Sequence, residues 1–375
     1  MKIPLAKPEI LESDIEAVTA VLRSSRLSQG PTLRAFEEAL ANYLGVAHAV
    51  AVNSGTSALQ LGLRALGIAE DDEVILPSFS FMAVTNAVLA AGAVPVFVDI
   101  ASGSWNLDPA KVEVLIGPRT KAIIVIHTFG FPAPTDRIIT LARRHGLFVI
   151  EDVCEAFGAE VNGQKAGALG DIGILAFYPN KQITTGEGGA VITNSAELAE
   201  SVRCQRNQGR ENSTQWLQHC EIGYSYRLSD LNCALGLGQL SRIESILKRR
   251  EALARCYQHH LAANEELQSY WECHNGRISW FTYPALLPSG VDRDEIWREL
   301  GQMGIEAGRY FPPAHLQPVM RNVSFRCGDL SEMLSVAQRV LCLPFFNELE
   351  ERKIEFVCES LNEALAVRYP VAKAG

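Results

Sequence analysis

The amino-acid sequence predicts a three-layer α/β domain with a largely parallel sheet, followed by a smaller α+β domain. Between residues 48 and 194, short apolar runs rich in β-forming residues alternate with helical patterns, an order typical of such sheets. Several runs have no polar alternation, as expected for strands that are covered on both faces. Near residue 229 the alternation gives way to a long helical pattern, which indicates the change of domain.

The chain begins with two predicted helices. Ser13 and Glu16 have the spacing of a capping box, so we expect the first helix to begin near Ser13. The second helix, in FEEALANYLG, is expected to end at Gly45, because glycine is the residue most often found in a left-handed C-cap.

Seven strands are then predicted, with helical patterns in the intervals between them. They are HAVAV (48–52), DEVILPS (72–78), VPVFVDI (94–100), KAIIVIH (121–127), GLFVIED (146–152), DIGILAFY (171–178) and GAVITN (189–194). Ligands of open α/β sheets bind at the carboxyl ends of the strands. Residues that follow these strands are therefore the candidates for a functional site.

The C-terminal part predicts a second, smaller domain. Ser229 and Asp230 are expected to cap a long helix that continues to about residue 263. A strand is predicted in ISWFTYPALL (278–287), then a helix from about Asp292 and a last helix. We therefore divide the chain into a large domain, 1–240, and a small domain, 241–375, on which the first residues can pack.

The composition argues against several classes of function. A net charge of −9 disfavours non-specific nucleic-acid binding, which needs a dense basic surface. No apolar run is long enough for a signal peptide, or for the roughly 20 residues of a membrane span. The nine cysteines include no C-x-x-C pair, so neither a zinc site nor a disulfide framework is predicted. We therefore expect a protein of the reducing cytoplasm that binds no metal.

Two predicted strand ends are followed by candidate ligand-binding segments. The segment NSGTSAL follows HAVAV and opens a helix, so Gly55, Thr56 and Ser57 could offer backbone N–H groups to a phosphate. These residue types also serve as ordinary helix caps. In PSFSFMAV, Phe79 or Phe81 could stack on an aromatic ligand or simply fill the core.

Two further strand ends carry charged residues. Asp152, in IEDVCEAFGA, needs a partner at a buried strand end, and a protonated ring nitrogen, a salt bridge or a helix N-terminus would each serve. Lys181, in FYPNKQITTGEGG, is either a surface lysine or a partly desolvated nucleophile. The glycines after it would let the backbone pass close to something bulky. A phosphate cradle, an aromatic ring, a carboxylate and an amine together match pyridoxal phosphate.

The ordered motifs closely resemble the DegT/DnrJ/EryC1/StrS family of sugar-nucleotide aminotransferases. The resemblance covers nearly the whole chain and rests on SQGP, SGTSAL, PSFSF, VPVFVDI, IEDVCEAFGA, FYPNKQITTGEGGAVITN, GYSYRLSDLNCALGLGQL, SWFTY and RYFPPAHLQP. It implies the aspartate-aminotransferase-like fold, pyridoxal 5'-phosphate fold type I, for the large domain. It also implies a homodimer in which both chains contribute to each site.

The resemblance implies a role for each matched residue. Lys181 matches the lysine that forms the Schiff base, and Asp152 the aspartate that pairs with the ring nitrogen. Phe81 matches the aromatic residue that stacks on the cofactor ring, and Glu155 falls where many relatives have Gln or His near the cofactor. Thr56 and its neighbours, Gly55 and Ser57, match the phosphate-binding turn.

The sequence departs from the family pattern at two phosphate-binding positions. Ala176 stands where many relatives have Ser, and Ser225 where many have an Asn that reaches the phosphate from the partner subunit. Because Ser225 is shorter than Asn, a water molecule or another residue would have to substitute. The candidates for binding the anionic substrate are Arg227, Arg309 and His315, the last two in RYFPPAHLQP, which could equally be a stiffened surface turn.

The resemblance implies a transaminase that moves an amino group from L-glutamate to a nucleotide-linked keto-sugar. YFPPAHLQP favours the perosamine-type branch, which aminates carbon 4 of a GDP-linked sugar. The alternatives are dehydration or lyase chemistry with the same cofactor, or a regulatory relative without catalysis. Lys181 argues against dehydration, because relatives that catalyse dehydration replace this lysine with His. Lys181 and Asp152 together also argue against a regulatory relative without catalysis.

Overall fold

The structure is a computed structural model that describes residues 2–210, 218–262, 264, 267 and 276–368. In this part of the chain the α-helices are α1 (Glu12–Arg23), α2 (Pro31–Leu44), α3 (Gly55–Ala65), α4 (Met82–Ala90), α5 (Pro109–Glu113), α6 (Thr135–His145), α7 (Ala196–Arg206), α8 (Asp230–Ser241), α9 (Ile243–Leu261), α10 (Arg293–Gln302), α11 (Ser331–Arg339) and α12 (Glu351–Arg368). The strands are β1 (His48–Val52), β2 (Glu73–Pro77), β3 (Val94–Val98), β4 (Thr120–Ile126), β5 (Phe148–Asp152), β6 (Glu160–Val161), β7 (Gln164–Lys165), β8 (Ile172–Ala176), β9 (Gly189–Thr193), β10 (Gly276–Arg277), β11 (Tyr283–Leu286), β12 (Arg326–Cys327) and β13 (Val340–Leu343).

A mixed sheet forms the centre of the molecule. Within the described residues it has eight strands in the order β1-β9-β8-β5-β4-β2-β3-β12. Strand β9 is antiparallel to its neighbours β1 and β8, and the other pairs are parallel. All seven strands predicted in the first half of the chain are confirmed, and so is a largely parallel sheet.

Alternate residues of the sheet pack against helices on opposite faces. On β4, Ile124 belongs to the core cluster that includes Leu61 of α3. Its neighbour Ile123 belongs to a separate cluster that includes Ile138 of α6. Burial on both faces explains why the strands are apolar without alternation, and it confirms the three-layer prediction.

Two helix predictions differ from the structure near Arg242. Helix α1 begins at Glu12, and the Asp14 carboxylate, not Ser13, accepts the N–H of Leu11 (3.0 Å). The single long helix predicted after Asp230 is two helices, α8 and α9, separated at Arg242, whose φ is −116°. The Arg242 guanidinium donates to both oxygens of Asp14 (2.8 Å each), so this buried ion pair accompanies both departures.

The strand predicted over residues 278–287 is shorter than expected. Only Tyr283–Leu286 is extended, and it pairs antiparallel with β13. Trp280 has a φ of +52°, a left-handed conformation that no strand accommodates, so the chain turns sharply before the strand begins. The helix predicted from about Asp292 is confirmed as α10, and the Asp292 side chain caps it by accepting two N–H groups of the first turn.

The N-terminus packs against the C-terminal half of the chain. Ile3 is fully buried and forms a parallel bridge with Ile305. In the part of the chain that the structure describes, no helix combines the length and the apolar character needed to cross a membrane.

The backbone is tightly packed where β9 begins. A Cβ atom on Gly189 would lie 2.6 Å from the carbonyl carbon of Ser54, at the turn that opens α3. Ser54 cannot move aside easily, because its side chain caps that helix by accepting the N–H of Ser57 (3.1 Å).

We predict that Gly189→Ala lowers the free energy of unfolding by about 1–3 kcal/mol, because the added methyl group has no space. Urea-induced unfolding measures the loss. Gly301→Ala is the matched control, because no atom lies within 4 Å of its added Cβ. Being helical, that variant should be about 0.5–1 kcal/mol more stable than the wild type. Equal stability of the two variants would contradict the prediction.

Candidate active site

A cavity of about 440 Å³ opens at the carboxyl ends of the parallel strands. This volume lies within the range of about 300–1,000 Å³ that is usual for small-molecule sites. Of the residues predicted from the sequence, seven line the cavity: Gly55, Thr56, Phe79, Phe81, Asp152, Glu155 and Lys181. They come from the turns after β1, β2, β5 and β8, the edge of the sheet where ligands of this fold class bind.

Lys181 extends into the cavity from the connection between β8 and β9. Its backbone N–H donates to the carbonyl of Tyr178 (2.9 Å), which closes a turn at the strand end. Its side chain is only 14% exposed. The amine lies 3.8 Å from a carboxylate oxygen of Glu155 and 4.2 Å from the centre of the Phe281 ring. The amine is therefore largely desolvated and held between a carboxyl group and an aromatic face.

The helix N-terminus beside Lys181 has the form of an anion site. Ser54 caps α3, and its hydroxyl also bonds the Ser57 hydroxyl (2.9 Å). The first turn of a helix leaves its N–H groups without intrahelical partners, so those of Gly55 and Thr56 are left for a ligand. A Cβ on Gly55 would lie 2.7 Å from that of Ala176, which brings the end of β8 against this turn. Ser57 does not line the cavity, and its N–H already donates to the capping hydroxyl of Ser54 (3.1 Å).

Two carboxyl groups enter the cavity from the segment after β5. Asp152 is 4% exposed, and its Oδ1 accepts the N–H of Cys154 (2.9 Å). Glu155 is also buried, and its Oε2 accepts the N–H of Phe129 (3.0 Å). Burial raises the pKa of the Glu155 carboxyl, and the positive charge of Lys181 opposes that shift. Burial, reinforced by Asp152, also raises the pKa of the Cys154 thiol, so this thiol is not a ready nucleophile.

The cavity also contains polar atoms that the sequence patterns did not identify. Thr128 Oγ1 and Asn180 Oδ1 are buried and have no hydrogen-bond partner among the described residues. Buried polar atoms normally have partners, so these two indicate a polar ligand. Thr128 lies two residues after the end of β4, and the strand-end rule applied to that strand would have found it. In the described part of the chain, no cluster of His, Cys, Asp or Glu side chains could hold a metal ion.

Aromatic rings form one wall of the cavity. Phe81 is 64% exposed there, and its ring centre lies 6.5 Å from that of Phe311. Tyr310 stacks on Phe311 with ring centres 5.2 Å apart, and both line the cavity. The segment RYFPPAHLQP therefore does reach the cavity, but through its aromatic residues. Phe79, the other aromatic candidate, also lines the cavity, but its side chain is fully buried.

The residues predicted to bind the anionic substrate lie away from the cavity in this chain. Arg309 donates to Asp294 (3.1 Å) and stacks on Trp297, 4.1 Å from the ring centre. Arg309 is thus engaged by helix α10, which explains why it does not face the cavity.

His315, Arg227 and Ser225 are also outside the cavity lining. His315 Nδ1 lies 2.6 Å from the Ser78 hydroxyl, and burial lowers the pKa of this histidine, which disfavours its cationic form. Arg227 donates to Asn207 (3.1 Å). Ser225 is exposed and pairs through its backbone with Asn207. Within one chain the structure does not bring these residues together with Lys181.

The residues of the cavity fit pyridoxal phosphate. The first turn of α3 suits the phosphate, and the exposed Phe81 ring suits an aromatic ring system. Asp152 suits a protonated ring nitrogen, and the unpartnered atoms of Thr128 and Asn180 suit polar substituents. Lys181 supplies the amine that this cofactor needs.

Comparison with known proteins identifies a family. A profile of the DegT/DnrJ/EryC1/StrS aminotransferase family matches residues 8–362. The chain is 38% identical over 369 residues to the GDP-perosamine synthase of Caulobacter vibrioides. This alignment covers 97% of this chain and 98% of the relative. The chain is 36% identical over 365 residues to the dTDP-3-amino-3,4,6-trideoxy-alpha-D-glucose transaminase of Streptomyces venezuelae, with coverage of 97% and 95%. The crystal structure of the aminotransferase TlmJ from Streptoalloteichus hindustanus, 30% identical, superposes with a TM-score of 0.93 and covers 98% and 100% of the two chains.

Proposed function

Because the chain belongs to the DegT/DnrJ/EryC1/StrS aminotransferase family and is a sugar aminotransferase, we propose that it transfers an amino group from L-glutamate to a keto-sugar linked to a nucleoside diphosphate. The family implies pyridoxal 5'-phosphate as the cofactor. The observation that carries the proposal is the convergence of Lys181, Asp152 and the N-terminus of α3 on one cavity. A lysine, a carboxylate and an anion site are the groups this cofactor requires.

Four groups of this chain would hold the cofactor. Lys181 would bind it covalently through its amine, and Asp152 would keep a proton on the ring nitrogen. The N–H groups of Gly55 and Thr56 would bind the phosphate, and Phe81 would cover one face of the ring. When bound, pyridoxal phosphate supplies an electron sink for the carbanion formed at the amino carbon.

In the reaction, Lys181 would act as both base and acid. Lys181 Nζ would take a proton from the α-carbon of the amino donor, and it would give a proton back in the second half of the reaction, when the keto-sugar is aminated. Asp152 would stay beside the ring nitrogen throughout. The two substrates therefore react in turn, which predicts ping-pong kinetics.

The favoured substrate is a 4-keto sugar linked to GDP, in the biosynthesis of amino sugars and surface polysaccharides. The relative named GDP-perosamine synthase supports this assignment at 38% identity. A transaminase named for a dTDP-linked 3-amino sugar is nearly as similar, at 36%. A panel of nucleotide sugars should therefore vary both the nucleotide and the position of the keto group.

The charges of the cavity support a homodimer with shared sites. Among the described lining residues, Lys181 is the sole cation, and it is accompanied by Asp152, Glu155 and Glu187. The cofactor phosphate and the substrate diphosphate are both anionic, so further cations must approach from outside this lining. We propose that a second copy of the chain contributes Arg227 to bind the substrate and Ser225 to approach the cofactor phosphate. Arg309 and His315 remain candidates only if their segment moves on binding.

We predict that the purified protein absorbs visible light and that L-glutamate bleaches this absorbance. Lys181→Ala should lack the band, because no amine remains to link the cofactor. Lys248→Ala, at an exposed position on α9, is the control and should bleach like the wild type. A coloured wild type that responds to no amino donor would contradict the proposal and favour dehydratase or lyase chemistry.

Subunit mixing tests the shared site. Lys181→Ala and Arg227→Ala should each be inactive, but co-expression should restore about a quarter of the wild-type amination rate. About half of the dimers are then hybrids, each with one intact site. The control is a mixture of Lys181→Ala with Asp152→Asn. One chain supplies both of these residues to a given site, so every site in a hybrid dimer is defective and no activity should return. Absence of recovery in the first mixture would contradict a contribution of Arg227 from the partner.

A further inference from the structure

The Lys181 amine is held against the ring of Phe281, a residue from a segment 100 positions further along the chain. The 4.2 Å distance from the amine to the ring centre is well within the roughly 6 Å range of cation–π attraction. On another side, Glu155 Oε1 lies 3.8 Å away, which is too far for a hydrogen bond. The ring therefore provides a close contact to this amine that is independent of the carboxyl group.

We propose that Phe281 is a positioning residue for Lys181, which stabilises its nitrogen whenever that nitrogen carries a positive charge. The proposal rests on the aminotransferase reaction proposed above. There, Lys181 Nζ gains a proton from the donor carbon and later gives it up. An aromatic face next to that atom lowers the free energy of the protonated form, and an aliphatic side chain of similar size does not.

The backbone before Phe281 is shaped to deliver its ring to the lysine. Trp280 is in the left-handed conformation, with a φ of +52°. The Phe281 N–H donates to the carbonyl of Phe129 (2.9 Å), and the Ser279 N–H donates to that of Gly130 (3.0 Å). A Cβ atom on Gly130 would lie 2.6 Å from the backbone nitrogen of Trp280, so the two segments are in direct backbone contact. A residue with a strained backbone, held between two backbone hydrogen bonds, is typical of functional segments.

A buried arginine fixes the same segment from the other side. Arg250 of α9 donates to the carbonyls of Trp280 (2.6 Å) and Phe281 (2.9 Å) and to the side chain of Asn347 (3.1 Å). Burial lowers the pKa of Arg250 to about 10. Burying a guanidinium costs desolvation free energy, and here the hydrogen bonds to the carbonyls of Trp280 and Phe281 offset that cost. This arrangement holds Phe281 in place against the lysine.

The variants Phe281→Leu and Phe281→Tyr distinguish the effect of the aromatic ring from the effect of side-chain size. Both are measured as holoenzyme, by a pH titration of the visible absorbance and by the rate of bleaching with L-glutamate. In the leucine variant we expect the pH midpoint of the visible band to fall by about half a unit to one and a half units. Bleaching should slow by about 2- to 30-fold. The tyrosine variant keeps the ring and should retain both properties of the wild type.

Phe346→Leu is the matched control, because it removes another buried ring that is not part of the cavity lining. It should leave the midpoint and the bleaching rate unchanged. A leucine variant with the wild-type pH midpoint would overturn the proposal. An equal fall of the pH midpoint in the leucine and tyrosine variants would overturn it too. A wild type without a visible band would instead refute the proposed function, and the role of Phe281 with it.

Discussion

The close approach of β9 to the turn before α3 is the constraint on which the site depends. Gly189 and Gly55 leave no space for a Cβ atom, against Ser54 and Ala176 respectively. Strand β9 is antiparallel to both neighbours, so its first residue meets the carboxyl end of β1. Because Lys181 lies in the connection that leads into β9, the same packing fixes the lysine relative to the helix N-terminus. Backbone contact thus sets the spacing between the anion site and the amine.

The environment of the lysine is assembled from distant parts of the chain. Glu155 comes from the segment after β5, and Phe281 from the segment before β11, where Arg250 of α9 holds it. The carboxyl group is itself fixed by the N–H of Phe129, the residue whose carbonyl accepts the N–H of Phe281. One short piece of backbone after β4 therefore links both neighbours of the amine, which makes their positions mutually dependent.

The sequence predicted the sheet well because its strands are apolar and covered on both faces, and it identified the strand ends that line the cavity. It could not predict the break at Arg242, which accompanies an ion pair with the distant Asp14. Nor could it predict the left-handed Trp280, whose conformation follows from contacts with Gly130 and Arg250. For the same reason the position of Phe281 was missed, since no local pattern shows which distant atom a ring will meet. Arg309 was suggested by its charge and by its place in RYFPPAHLQP, but its side chain donates to Asp294 outside the cavity.

The central claim is that Lys181 is the residue that binds the cofactor covalently. Reduction of the purified holoenzyme with borohydride, followed by proteolysis and mass spectrometry of the peptides, tests it directly, because reduction makes the link to the lysine permanent. The account predicts the mass of a reduced phosphopyridoxyl group on the peptide that contains Lys181 and on no other lysine. An unmodified Lys181, with the group on another lysine or on none, would contradict it.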